Sequence, residues 1–131
     1  MANACGNRCW RRRVPRSATL VADDERSLLG VCHVGPDRDA DDSVRHGCGE
    51  VALIYVLPEA QGRGVGRALL DEACDAMLDL GFTEARLWVL ADNAPAIAFY
   101  ERMGWRADGA AKQEEIGGQV IEECRYWRSL A

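Results

Sequence analysis

Gln61-Gly62-Arg63-Gly64-Val65-Gly66 is the stretch whose setting decides the fold. Glu50–Leu57 before it is rich in β-favouring residues and stops at Pro58, as a strand does. After it, Val65, Ala68, Leu69, Ala73, Ala76, Met77 and Leu80 recur at helical spacing, and Gly81 suits the position just past a helix end. Ala85–Leu90 then reads as another strand. Strand, helix and strand make one βαβ unit with a parallel strand pair. Three glycines at the strand-to-helix turn let backbone N–H groups approach an anion, where the helix N-terminus adds positive potential. Two nucleotide-binding spellings are excluded. A P-loop ends in Gly-Lys-Ser/Thr, whereas this turn runs on as Gly66-Arg67-Ala68; a dinucleotide fingerprint starting at Gly62 needs glycine at Arg67.

Working outward, Asp92 or Asn93 caps a second helix that runs through Met103 to Gly104. Trp105–Glu115 and Gln119–Trp127 form a closing antiparallel pair around Gly117-Gly118. Upstream, Thr19–Ala22 and Leu28–Val34 read as a hairpin across the polar turn Asp23-Asp24-Glu25. Residues 36–48, rich in Asp and Gly, read as a mobile loop. Residues 1–17 carry no clear period, and the Arg-rich stretch ending at Pro15 predicts at most a short helical turn. The expected class is α/β with a mixed, mostly antiparallel sheet.

The Gln61–Gly66 spelling resembles the Q/R-x-x-G-x-G signature of the GNAT acetyltransferases. Asn93-Ala94-Pro95-Ala96-Ile97-Ala98-Phe99-Tyr100-Glu101-Arg102-Met103-Gly104-Trp105 resembles that superfamily's N-x-x-A-x-x-F-Y-E-x-x-G-F/W. The two occur in the expected order, and the likeness runs from about Thr19 to Leu130. It implies a splayed pair between Glu50–Leu57 and Ala85–Leu90, into which the pantetheine arm of acetyl-CoA inserts like an extra strand. The backbone of Ile54, Tyr55 and Val56 would pair with the pantetheine amides. The N–H groups of Gly62, Arg63, Gly64, Val65, Gly66 and Arg67, with Gln61 opening the turn, would hold the pyrophosphate. Asn93 would contact the cofactor arm, and Tyr100 would lie near the thioester sulfur. The two are seven residues apart and so share one helix face.

The implied activity is acetyl transfer to a primary amine of a small molecule or peptide, by direct attack in a ternary complex. It needs a base for the ammonium, donors for the oxyanion and a proton for the thiolate. Tyr100 is the candidate acid and the Val56 N–H an oxyanion donor. Glu50, fourteen residues before Gly64, resembles in register the catalytic glutamate of the histone-acetylating branch; many relatives use a water chain instead. A CoA-binding module without turnover is the other reading.

Relatives begin with a strand and two helices ahead of the first hairpin. Here residues 1–18 stand in their place, read as the remnant of a longer N-terminus, and residues 19–131 as the acetyltransferase domain. Leu57 also sits where many relatives carry an acid. The missing helices are expected to leave apolar hairpin surface exposed, and with it self-association or a homodimer.

Length and composition bound these readings. The 131 residues fit one domain, and 48% hydrophobic with 28% charged residues is ordinary for a globular protein. No apolar run approaches the roughly 18 residues of a membrane span and no signal-peptide pattern opens the chain, so no membrane is expected and the cytoplasm is the default address. Net charge is −5, yet residues 1–20 hold five arginines and no acid. Beside an acidic body this basic run reads as a solvated segment rather than a nucleic-acid footprint. Cys5, Cys9, Cys32, Cys48, Cys74 and Cys124 lack zinc-site spacing, His33 and His46 stand far from the Cys5/Cys9 pair, and no metal is expected.

Overall fold

The computed structural model describes residues 8–14, 16–38 and 47–130, with residues 8–14 described as backbone only. Seven strands form one sheet: β1 (Arg8–Val14), β2 (Ser17–Asp23), β3 (Leu28–Pro36), β4 (Cys48–Val56), β5 (Glu84–Leu90), β6 (Arg106–Ile116) and β7 (Gln119–Ser129). Their order is β1-β2-β3-β4-β5-β7-β6. Two helices connect them, α1 (Val65–Asp79) and α2 (Ala94–Arg102). Every neighbouring pair is antiparallel except β4 and β5.

That parallel pair is short. It joins Cys48 to Glu84, Gly49 to Ala85 and Glu50 to Arg86, and no pairing follows. The remainder of β4, through Val56, pairs with β3 on one side only. A slot therefore opens through the sheet beyond Glu50, edged by main-chain groups of β4.

The helices cover one face. Val65, Leu69, Leu70, Ala73, Ala76 and Met77 of α1 are buried against Leu20, Ala22, Cys32, Val34 and Val51. Burying a Leu or Val side chain contributes about 1.5–3 kcal/mol, so this face holds most of the fold's cohesion. Gly30 lies beneath the helix: a Cβ there would sit 2.8 Å from the Tyr55 carbonyl oxygen and 2.9 Å from Leu69 Cδ1. The alternation of β2 follows directly, with Ala18, Leu20 and Ala22 buried and the residues between them half-exposed. Phe82 and Trp105, each 1% exposed, belong to the same core.

The other face carries no helix among the described residues. Leu53 and Tyr55 are each 51% exposed there. Of the hairpin expected to expose apolar surface, Leu28 is open to solvent, while Val21 and Val31 stay half-buried.

The elements lie within a residue or two of the sequence reading, with one correction. Residues 8–14 are not a helical turn but strand β1, antiparallel to β2 from Arg8 opposite Asp23 to Val14 opposite Ser17. An edge strand is held by the backbone ladder, which needs no hydrophobic period, so the Arg-rich spelling hid it. The Asp- and Gly-rich loop falls largely at 39–46, outside the described residues.

Candidate functional site: a cleft at the splayed strands

On the helix-covered face a cleft of about 990 Å³ runs from the α1 N-terminus along the length of α2. Ile54 and Val56 form its β4 wall, Gln61, Gly62, Gly64, Val65, Gly66 and Arg67 its turn, and Asn93, Pro95, Ala96, Phe99, Tyr100, Arg102 and Met103 its α2 wall.

The turn is built to present backbone donors. Gly62 and Gly64 have φ of 79° and 80°, a region in which side chains are strained. Gly64 is the N-cap of α1 and offers no side-chain acceptor, and the first turn holds no acid. The first N–H groups of α1 are thus left for another acceptor, and Arg67 adds a cation to the same wall. The start of α2 is satisfied differently, because Asn93 Oδ1 accepts from the Ala96 N–H at 3.2 Å. Gln61 Nε2 donates to the Val56 carbonyl at 3.3 Å and ties the turn back to β4.

At the far end stands Tyr100, 8% exposed, its ring 5.4 Å from Phe99 and 6.4 Å from Trp105 between centroids. Burial pushes its phenol up to about 12, so it keeps its proton at any physiological pH. Its hydroxyl has no hydrogen-bond partner among the described residues.

Ten of the residues singled out from the sequence line this cleft: Ile54, Val56, Gln61, Gly62, Gly64, Val65, Gly66, Arg67, Asn93 and Tyr100. Three do not. The Tyr55 side chain stands on the opposite face of β4, so only its backbone edges the slot. Arg63 is exposed and off the cleft wall. Glu50 is 3% exposed on the helix-free face. Its Oε1 accepts from the Arg38 N–H at 3.2 Å and Nε at 3.0 Å, and its Oε2 from Nη2 at 3.2 Å. Beside it, Arg86 donates to Asp37 at 3.0 Å, and burial with the Asp37 charge pushes the Cys48 thiol up to about 12. Sequence reasoning assigned no role to Phe99, Arg102 or Met103. The recurrence of Ala96, Phe99, Tyr100 and Met103 at helical spacing was the signal for that wall.

Among the described residues no cluster of His, Cys, Asp and Glu has the makings of a metal site, and no helix is long and apolar enough to cross a membrane. Cys32, Cys48, Cys74 and Cys124 are free thiols.

The model of the acetyltransferase (GNAT) family matches residues 3–105. The chain belongs to that family. As a GNAT protein it is 34% identical over 124 residues to the uncharacterized N-acetyltransferase YuaI of Bacillus subtilis (strain 168), across 93% of this chain and 68% of that protein. The mycothiol acetyltransferase of Arthrobacter sp. (strain FB24) is 43% identical over 99 residues, 72% of this chain but only 29% of its own length. The structure of yncA, a putative acetyltransferase from Salmonella typhimurium with its cofactor acetyl-CoA, shares the fold with a TM-score of 0.74 at 22% identity, covering 88% of this chain and 65% of that one. The family match begins upstream of Thr19, so the GNAT likeness takes in β1 as well.

Proposed function

We propose that this GNAT chain is an N-acetyltransferase that uses acetyl-CoA to acetylate a primary amine of a small molecule or peptide, by direct attack in a ternary complex. One observation carries the proposal. A single cleft has glycine-rich, uncapped helix donors at one end and a protonated, unpartnered phenol at the other, with the unpaired edge of β4 between them.

That lining fits acetyl-CoA. The Gly62–Arg67 N–H groups and the Arg67 guanidinium would hold the pyrophosphate, while Arg63, off the wall, would contribute only longer-range charge. The main chain of Ile54, Tyr55 and Val56 would pair with the pantetheine amides, with Asn93 closing on the arm. Acetyl-CoA supplies an activated acyl group and a thiolate leaving group. The chain would supply the rest: Val56 N–H donation to developing negative charge, a proton from Tyr100 to the sulfur, and exclusion of water by Phe99 and Met103.

A second reading, CoA binding without turnover, gains from the Arg38–Glu50 pair. In that pair both carboxylate oxygens of Glu50 accept from the Arg38 guanidinium, which ties the side chain to the β3 end rather than to the slot. Two measurements separate the readings. Acetyl-CoA at about 100 times its dissociation constant should add roughly 2.7 kcal/mol of stability under either one. Thiol-detected CoA release with a panel of primary amines should occur only for the transferase. No thermal shift with saturating acetyl-CoA overturns both.

A further inference from the structure

The cleft holds a cation to which the reading above gives no task. Arg102, in the last turn of α2, lines the α2 wall and is exposed. Arg67 lines the same cleft at the start of α1. Neither guanidinium forms a hydrogen bond or ion pair among the described residues. No Asp or Glu lines the cleft, so it presents two unmatched positive charges beside the α1 N–H groups.

Local pairing does not account for Arg102. The Met103 carbonyl at the end of α2 already accepts from Arg128 Nη1 at 3.0 Å. Three and four residues back, where a helix carboxylate would pair with Arg102, stand Phe99 and Ala98. Glu101 is adjacent in sequence and points elsewhere, accepting from the Tyr126 hydroxyl at 3.1 Å.

The helix period explains where Arg102 stands. Pro95, Phe99 and Arg102 recur at i, i+4 and i+7, and all three line the cleft. A Cβ at Gly66 would lie 3.6 Å from Phe99 Cζ, so this stripe runs beside the first turn of α1. Arg102 stands about 4.5 Å further along the helix axis than Phe99. The glycine-rich turn and Arg102 therefore face one opening.

Acetyl-CoA carries more phosphate than the turn accounts for. Its pyrophosphate joins the 5′ carbon of a ribose whose 3′ carbon bears a separate phosphomonoester, a few bonds away. Such a group carries about 1.5–2 negative charges at neutral pH and three acceptor oxygens. A guanidinium can engage two of those oxygens at once. Arg63 is less suited, being off the cleft wall. The Arg26 and Ser27 N–H groups, and then Arg63, hold the Asp24 carboxyl below its ordinary value, so Arg63 already faces an acid.

We propose that Arg102 binds the 3′-phosphate of the cofactor and makes this chain prefer acetyl-CoA to its 3′-dephospho form; this rests on the acetyl-CoA reading above. Arg67 and the α1 N–H groups keep the pyrophosphate, which both ligands share.

The test is titration calorimetry of the wild type, Arg102→Gln and Arg67→Gln with acetyl-CoA and with 3′-dephospho-acetyl-CoA, at one ionic strength. The wild type should bind acetyl-CoA about 10–100-fold more tightly than the dephospho form, the worth of a hydrogen-bonded charge pair. Arg102→Gln should bind both ligands as the wild type binds the dephospho form. Arg67→Gln should weaken both by a similar factor and keep the preference. A preference that survives in full in Arg102→Gln overturns the proposal alone, and so does a wild type without any preference. A wild type that binds neither ligand overturns it together with the acetyl-CoA reading. If Arg102→Gln does not fold, a full preference in Arg102→Met, which keeps a good helix former, overturns the proposal as well.

Discussion

The two faces of the sheet differ in kind. On one, Leu20, Cys32, Val34 and Leu87 lie beneath α1 and α2 with almost no exposure. On the other, the same strands offer Thr19, His33, Leu53 and Tyr55, partly or largely open to solvent. Period-2 alternation writes both faces into each strand, but only one is spent on packing. Cohesion belongs to the covered face, and solvent contact belongs to the open one. They communicate only where β4 and β5 part. Substitutions at that slot should therefore change chemistry, those beneath the helices should change stability, and those on the open apolar surface should change little.

The largest expected effect is at the slot. Tyr100→Phe keeps the ring packed against Phe99 and Trp105 and removes only the hydroxyl, so kcat should fall about 10²–10⁴-fold with KM for acetyl-CoA nearly unchanged. Steady-state kinetics decide it, and an unaltered kcat would return Tyr100 to the core. Because the phenol is held near 12, the wild-type profile should show no alkaline limb from this residue below that pH.

Trp105→Ala tests the covered face. The ring is 1% exposed, and its loss should cost about 3–5 kcal/mol by denaturant unfolding. A loss below about 1 kcal/mol would mean that the helices are not what holds this face.

Gly64→Asp should abolish the roughly 2.7 kcal/mol that saturating acetyl-CoA adds, because it brings a carboxylate and a strained positive φ to the cradle. A full thermal shift in this variant would move the anion site elsewhere.

Burial also raises the Cys32 thiol from its ordinary value near 9 to about 12. A raised folded-state value means that the stabilisation is complete below the unfolded value and is lost as pH climbs through the folded one. The melting temperature should fall between pH 9 and 12, and Cys32→Ala should fall less steeply. The smallest effect belongs to Leu53→Ser on the open face, expected within about 0.5 kcal/mol of wild type. A clear destabilisation there would reveal a covering partner.

The sequence by itself determined the elements from β2 onward and the glycine-rich turn before α1, because those rest on local physics. β-favouring runs bounded by turn residues set β2 through β5, helical spacing set α1, Asn93 capped α2, and Gly64 at φ 80° and Gly81 at φ 97° bounded α1. Tertiary structure alone decided the rest, because it joins residues distant along the chain. Strand β1 exists through its ladder to β2, to which its arginines give no clue. Arg38 reaches Glu50 across twelve residues whose return path is set by the β3–β4 register. Phe99 and Arg102 join the cleft only because α2 lies beside the start of α1. Thr19 and His33, fourteen residues apart, meet because antiparallel pairing sets them opposite each other. A hydrogen bond between such partners depends on register, and register is fixed only when the hydrophobic face of the whole sheet is buried.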